Sequence, residues 1–196
     1  MGQEDGRLPA GCLCAHARRR EVILAGVGML AGAAVAHALE PNERRPRAGD
    51  ILVHSMGPRK GQPVRPEDLP VDGPPQLAFP MDPSGLVLDG LRFNEVVVVR
   101  VEPEKLDPEA KPGSADGIVV YSAICTHEAC SVNMWNDYEK MLVCSCHGSM
   151  FDPRARARVV FGPAQRRLAQ LPIRVEEGKI VVAGPFQGRL GPQRAS

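Results

Sequence analysis

Apolar residues along most of the chain fall in short runs bounded by proline, glycine or charged residues, a pattern typical of β-strands. The clearest run, residues 96–99, is four consecutive valines and predicts a strand that is buried on both faces. Similar patterns predict strands at residues 51–54, 117–124 and 141–143, and a hairpin over residues 173–182 with its turn at Glu177-Gly178. Prolines recur through residues 57–83, which excludes a long helix there and favours an ordered loop that wraps a sheet, with a flexible loop as the alternative. The pattern predicts a small, antiparallel, mainly β domain.

One apolar run is of a different kind. Residues 22–39 contain no Asp, Glu, Lys or Arg, and about 18 apolar residues are near the lower limit for a helix that crosses a bilayer. Three arginines at residues 18–20 precede the run, and the sequence Arg-Arg-Glu-Val-Ile at residues 19–23 resembles the twin-arginine export signal. Because the run has no polar face, an amphipathic helix is disfavoured. We predict that residues 1–38 are either a removed twin-arginine signal peptide or a retained membrane anchor, with the apolar run as its helix.

The rest of the chain is predicted to be a linker, residues 39–50, and one domain, residues 51–196. The 196 residues are 43% hydrophobic and 24% charged, which is a globular composition. A formal net charge of +1 argues against binding to nucleic acid, which normally requires a basic face.

The candidate chemistry lies in two short segments rich in cysteine and histidine. Box one is Cys125-x-His127-x-x-Cys130, and box two is Cys144-x-Cys146-His147. Two cysteines and two histidines can form a tetrahedral zinc site, or they can hold a [2Fe-2S] cluster with both thiolates on one iron and both imidazoles on the other. Zinc leaves the two additional cysteines of the boxes unexplained. The remaining cysteines of the chain lie near its N-terminus and are given no role.

The segments Cys125-Thr-His127 and Cys144-x-x-His147-Gly-Ser149 resemble those of Rieske iron–sulfur proteins. The resemblance is to the disulfide-containing type found in quinol:cytochrome c oxidoreductases and in the small subunit of arsenite oxidase. It covers residues 117–184 and implies a β-sandwich with two cluster-binding loops and one Rieske-type [2Fe-2S] cluster. It further implies that Cys125 and Cys144 bind the inner iron, while His127 and His147 bind the outer, more exposed iron.

The resemblance also implies roles for the remaining cysteines of the boxes and for two residues that follow box two. It implies a disulfide between Cys130 and Cys146, which requires an oxidising compartment and so agrees with an export signal. It places Ser149 where the family has a hydroxyl that bonds a bridging sulfur. Phe151 stands where the high-potential members usually have tyrosine, so one sulfur donor is missing.

Two other positions differ in part from the family. Ala129 stands where the family often has glycine, beside an acidic residue, Glu128, close to the two histidines. Residues 162–165, Gly-Pro-Ala-Gln, resemble the Gly-Pro-Ala-Pro loop that covers the cluster on a third side, with glutamine in the last place.

The function that the resemblance implies is electron transfer. We expect the Rieske subunit of an exported respiratory oxidoreductase, which carries one electron from a quinol or a molybdenum enzyme to a c-type cytochrome. Its partner would be a larger redox subunit, either of the cytochrome b type or of the molybdenum oxidase type. We expect it on the periplasmic side of a bacterial inner membrane, anchored or soluble, with no substrate chemistry of its own. A Rieske oxygenase is excluded because the chain is too short for a mononuclear iron domain. The alternative is a structural zinc-binding module of an interaction protein.

Overall fold

Ten short strands, joined by turns and single-turn 3₁₀ helices, make up residues 40–193, the part of the chain that the computed structural model describes. In chain order the strands are β1 Ile51–His54, β2 Gln76–Met81, β3 Val96–Arg100, β4 Ile118–Ser122, β5 Val132–Asn136, β6 Met141–Cys144, β7 Met150–Asp152, β8 Arg158–Phe161, β9 Ile173–Glu176 and β10 Lys179–Val182. Within these residues no helix is long and apolar enough to cross a membrane. The apolar helix predicted for residues 22–39 lies outside the described residues.

The strands form two antiparallel sheets, so the predicted fold class, a mainly β antiparallel domain, is confirmed. The large sheet has six strands in the order β4-β3-β2-β1-β10-β9. The small sheet has four strands in the order β5-β6-β7-β8. Side chains from the two sheets share one core, since Val97 and Tyr121 of the large sheet belong to the same buried cluster as Leu142 and Phe151 of the small sheet.

The valine run of β3 shows why the large sheet is buried on both faces. Val97 and Val99 lie in the core that is shared with the small sheet. Val96 and Val98 point the other way, into a second core. The proline-rich segment 57–75 covers this second core with Val64 and Leu69, among others, as expected for a loop that wraps a sheet. Because side chains alternate across a strand, a continuous valine run fills both cores at once.

Strand β2 corrects the prediction of a loop throughout residues 57–83, because residues 76–81 form a strand. It lies between β3 and β1 in the large sheet, although Pro80 is part of it. β2 pairs with β3 only through residues 76–78, so Pro80 lies beyond the end of that ladder. Because proline has no backbone N–H, Pro80 could not donate to β3, and at this position β3 requires no such hydrogen bond. The carbonyl of Pro80 still accepts a hydrogen bond from the backbone N–H of Leu88 at 2.8 Å.

Residues 40–50, predicted to be a linker, are hydrogen bonded to the domain in the structure. The guanidinium of Arg44 donates to both carboxylate oxygens of Asp50, at 2.9 and 2.7 Å, and the backbone N–H of Arg47 donates to the same carboxylate at 2.8 Å. The amide of Asn94 donates to the carbonyl of Arg44 at 2.8 Å. Asp50 is only 2% exposed, so this segment is packed against the start of β1.

Candidate metal centre

The two Cys/His boxes lie side by side at one end of the small sheet. Box one links β4 to β5, and box two links β6 to β7. β5 and β6 are paired, and their register sets Val132 opposite Cys144. The backbone N–H of Ser145 also donates to the carbonyl of Ser131. This pairing brings the two boxes together.

Each box is closed by the same pair of backbone hydrogen bonds. In box one the N–H of Cys125 donates to the carbonyl of Cys130 at 2.8 Å, and the N–H of Ala129 donates to the carbonyl of Cys125 at 3.2 Å. In box two Cys144 donates to Ser149 at 2.9 Å, and Gly148 donates to Cys144 at 3.1 Å. The fifth residue of each loop has a positive φ, 57° at Ala129 and 67° at Gly148. A glycine adopts this conformation at little cost, whereas alanine is strained.

A disulfide joins the boxes. Cys130 and Cys146 are bonded, with their Cα atoms 6.2 Å apart, so the predicted pairing is confirmed. Within the described residues, Cys125 and Cys144 are free thiols, and they are only 1% and 2% exposed. The cysteines of the boxes therefore divide into a pair that crosslinks the loops and a buried pair that is available for a metal.

The two histidines of the boxes form a second pair, nearer the solvent. The ring centroids of His127 and His147 are 4.8 Å apart, with the rings almost perpendicular. His127 is half-buried, and its Nδ1 is buried without any hydrogen-bond partner. The side chain of His147 is 46% exposed, and its Nε2 lies 4.0 Å from a carboxylate oxygen of Glu128. A buried ring nitrogen without a partner is costly unless it binds something, and a metal ion would satisfy it.

The surroundings of Cys125 combine burial with two groups that favour a thiolate. Burial raises the pKa of the Cys125 thiol, and the neighbouring thiol of Cys144 raises it as well. The backbone N–H of His127, 3.5 Å from the Cys125 Sγ, and the hydroxyl of Ser149 act in the opposite direction and lower this pKa. A cation bound at the sulfur would deprotonate the thiol, and both donors would then face a thiolate.

Residues 162–165 pack against Ser149, which follows box two. Gly162 has a φ of 89°, and a Cβ added there would lie 2.5 Å from the Cα of Ser149, so no larger residue fits. The backbone N–H of Ala164 donates to the Ser149 hydroxyl at 3.1 Å. Phe151 is fully buried in the core cluster that also contains Cys125 and Cys144. Ser149 is thus held between box two and this loop.

The ligand atoms fit a two-metal centre better than a single zinc ion. A tetrahedral zinc site holds all four ligand atoms about 2.0–2.3 Å from one point. Within the described residues, the group whose ligand atoms come within 4.8 Å of one another is His127, Glu128 and His147, and neither thiol belongs to it. The two thiols are buried, whereas the imidazole of His127 is half-buried and that of His147 is exposed. This division suits two metal ions with different ligands.

These features define a class of protein: an antiparallel β-sandwich with a paired-thiol and paired-imidazole centre on two disulfide-linked loops. A family model described as "Rieske [2Fe-2S] domain" matches residues 84–172, which include both boxes and residues 162–165. This chain belongs to the Rieske iron–sulfur proteins, and its cofactor is one [2Fe-2S] cluster.

Several known proteins are similar to parts of the chain. The cytochrome bc1 complex Rieske iron-sulfur subunit of Streptomyces lividans is 39% identical over 99 residues, which cover 50% of this chain and 58% of that subunit. A putative respiratory nitrate reductase subunit Rieske of Haloferax mediterranei is 47% identical over 77 residues, which cover 39% of this chain and 34% of that protein. The chain therefore spans only part of the length of these relatives.

Among solved structures, the chain is similar to the cyanobacterial plasma membrane Rieske protein PetC3 from Synechocystis PCC 6803. The sequence identity is 31%, over 45% of this chain and 75% of that one, with a TM-score of 0.33.

Two features of the site were not predicted from the sequence. One is the left-handed backbone at Ala129, for which the departure from glycine was a usable signal. The other is a contact between box one and the end of the described chain, through Thr126 and Arg166. No local pattern indicates this contact, since Thr126 lies 40 positions before Arg166 and Gly191 lies 25 positions after it.

Proposed function

We propose that this chain is the Rieske electron-transfer subunit of an exported respiratory oxidoreductase, with Cys125, Cys144, His127 and His147 as the cluster ligands. The single observation that supports this most is the arrangement of the four side chains. Two buried free thiols and two imidazoles nearer the solvent lie on adjacent loops that a disulfide locks together.

The cluster, when bound, takes up and releases one electron. The protein determines which side of it is accessible. The two thiols are buried in the core that the sheets share, whereas the imidazole of His147 is 46% exposed. A partner can therefore approach the histidine side at close range, while the cysteine side is insulated by protein. This asymmetry favours transfer through the imidazoles to a docked partner.

The ligand set also explains why such a centre is useful in respiration. Two ferric ions, two sulfides and two thiolates sum to zero charge, because neutral imidazoles add none. A neutral cluster accepts an electron more readily than an all-cysteine cluster, so the reduction potential lies within about −150 to +300 mV. Donors near the sulfur, the N–H of His127 and the hydroxyl of Ser149, raise the potential within that range.

We propose a larger redox subunit as the partner, with a c-type cytochrome as the electron acceptor. Relatives are named as subunits of a cytochrome bc1 complex and of a putative respiratory nitrate reductase. These names support a larger redox subunit as the partner, of the cytochrome b type or of the molybdenum enzyme type. A retained membrane anchor would favour a quinol-oxidising partner, and Phe151, in the place of a tyrosine donor, favours a molybdenum enzyme as donor. The disulfide and the twin-arginine-like segment favour a location on the periplasmic side of the inner membrane.

The experiment is to purify the tagged full chain from membranes and the soluble fraction of its own organism and to identify the large subunit that accompanies it. The complex should reduce a c-type cytochrome when given its donor. The same complex carrying His147→Ala should assemble but transfer no electrons. A chain that purifies alone, with stoichiometric zinc and no visible absorption, would instead identify the zinc-binding module.

A further inference from the structure

The last described segment of the chain, residues 187–193, runs past box one. We call it the C-terminal strap. Gln187 exchanges two backbone hydrogen bonds with Gln170, at 3.1 and 2.7 Å, which fixes the start of the strap. Farther along, Gly191 has a φ of 64°, and a Cβ added there would lie 2.7 Å from the Phe93 ring and 3.7 Å from Ile124. Since Ile124 directly precedes Cys125, the strap packs against the base of box one.

Arg166 connects this strap to box one. Its guanidinium donates to the backbone carbonyls of Arg189, at 2.6 Å, and Gly191, at 2.7 Å. The backbone carbonyl of Arg166 accepts a hydrogen bond from the hydroxyl of Thr126. Thr126 lies between the proposed ligands Cys125 and His127 and is 6% exposed. Arg166 is half-buried, and its guanidinium is bound to two carbonyls of one segment.

The contacts of Arg166 border the less exposed histidine. A polar recess of about 270 Å³ is lined by Thr126, His127, Pro163, Gln165, Arg166 and Gln193. One wall comes from box one, one from residues 163–166, and one from the C-terminal strap. The side chain of His147, by contrast, is 46% exposed. The strap thus makes the environments of the two histidines unequal.

We propose that Arg166 is a positioning residue for the cluster: by binding the C-terminal strap with its side chain and Thr126 with its backbone, it holds box one in the geometry that His127 needs. The strap in turn covers the His127 side, which leaves the His147 side as the open face. This proposal rests on the ligand assignment proposed above.

The chain offers a matched control for testing this. Arg167 is the next residue, and its guanidinium binds the exposed carboxylate of Glu109 at 2.7 Å, away from both boxes. The full-length protein is prepared as Arg166→Gln, Arg166→Lys and Arg167→Gln. Three quantities are measured: the half-life of the cluster's visible absorption in the presence of a chelator, the electron paramagnetic resonance (EPR) spectrum of the reduced cluster, and the melting temperature by circular dichroism.

In Arg166→Gln we expect the cluster to be lost about 10-fold faster and the EPR line positions to move, since two charge-assisted hydrogen bonds are removed. Arg166→Lys keeps the charge and one contact, so its rate of cluster loss should lie between those of Arg166→Gln and wild type. Arg167→Gln should match wild type. A structural role alone would change the melting temperature without moving the EPR lines. The proposal is overturned if Arg166→Gln matches Arg167→Gln in both half-life and spectrum.

A truncation after Gly188 gives an independent test, because it removes both carbonyls that Arg166 binds. If the strap acts through Arg166, the truncation accelerates cluster loss in the wild-type background and adds less in Arg166→Gln, since both changes break the two hydrogen bonds from the guanidinium to the strap. Fully additive effects on the rate of cluster loss would contradict the proposal. If Arg166→Gln fails to fold, Arg166→Lys takes its place in this comparison. A wild-type protein that holds no cluster would refute the proposed function instead.

Discussion

Replacing Ser149 by alanine removes a hydroxyl group that is fully buried and has two roles in the structure. It accepts a hydrogen bond from the backbone N–H of Ala164 at 3.1 Å, which ties residues 162–165 to box two. It also lies beside the Cys125 thiol, where it favours the thiolate. The resemblance placed this hydroxyl against a bridging sulfur, and the structure places it beside the sulfur of Cys125. Ser149→Ala should therefore change both the reduction potential and the stability.

The two effects have different magnitudes and can be measured separately. A hydrogen bond to a charged group is worth about 1.5–3 kcal/mol, and only the part that differs between the oxidised and reduced states affects the potential. For one electron, a tenfold change in equilibrium constant corresponds to about 59 mV, so we expect a fall on the order of 50 mV. The buried N–H of Ala164 loses its acceptor, which should lower the free energy of unfolding by about 1–3 kcal/mol.

The assay is a redox titration of the full chain, followed by its EPR signal, with all variants measured at the same fixed pH. The matched control is Ser145→Ala, since Ser145 is an exposed serine of the same loop whose hydroxyl contacts the carbonyl of Ser131 at 3.3 Å. The control should keep the wild-type potential. If Ser149→Ala and Ser145→Ala have the same potential, the hydroxyl does not act on a cluster sulfur.

Three further predictions follow from the disulfide, the backbone strain and a buried histidine. Replacing Cys130 and Cys146 by serine should lower the free energy of unfolding by about 3 kcal/mol, through lost loop-closure entropy, and the variant should release its cluster on mild heating. An intact mass that shows both thiols free in the wild type would contradict the bond. Ala129→Gly should raise the free energy of unfolding by about 0.5–1 kcal/mol and Gly148→Ala should lower it, and opposite signs in urea titrations would refute the backbone argument. Burial, together with the neighbouring Arg59, lowers the pKa of His54, so the free energy of unfolding should fall as the pH drops below about 6.5, the ordinary histidine value. His54→Gln should remove this part of the decline. Equal slopes of unfolding free energy against pH in the two proteins, between about pH 7.5 and 5, would count against it.

The strands that fill both cores were predictable because their consecutive apolar residues are stable only when they are buried. β1 was predicted over its observed residues, and the hairpin of β9 and β10 turns at Glu177-Gly178 as expected. The valines of β3 are buried on both faces because both cores need apolar side chains. β5 and β8 were not predicted, since one of their faces is exposed and their sequences are mixed. Their pairing depends on the neighbouring strands of the small sheet.

The site was predictable to a different degree at each level. The disulfide partners followed from the resemblance, and the structure forms that bond. The strap could not be predicted, because its contacts join Arg166 to residues 23 and 25 positions away through backbone carbonyls, which carry no sequence signal. The assignment of the four cluster ligands stays a prediction, supported by two buried thiols and by the Nδ1 of His127 that has no partner.

The most direct test of the account is pulsed EPR of the reduced full-length chain, prepared with nitrogen-15 histidine. The account predicts a reduced [2Fe-2S] signal with an average g below that of all-cysteine clusters and with couplings to two inequivalent histidine nitrogens, one from His127 and one from His147. The inequivalence should follow from the half-buried and exposed environments of the two rings. A reduced cluster without nitrogen coupling, or a protein that contains zinc and gives no signal, would contradict the ligand set.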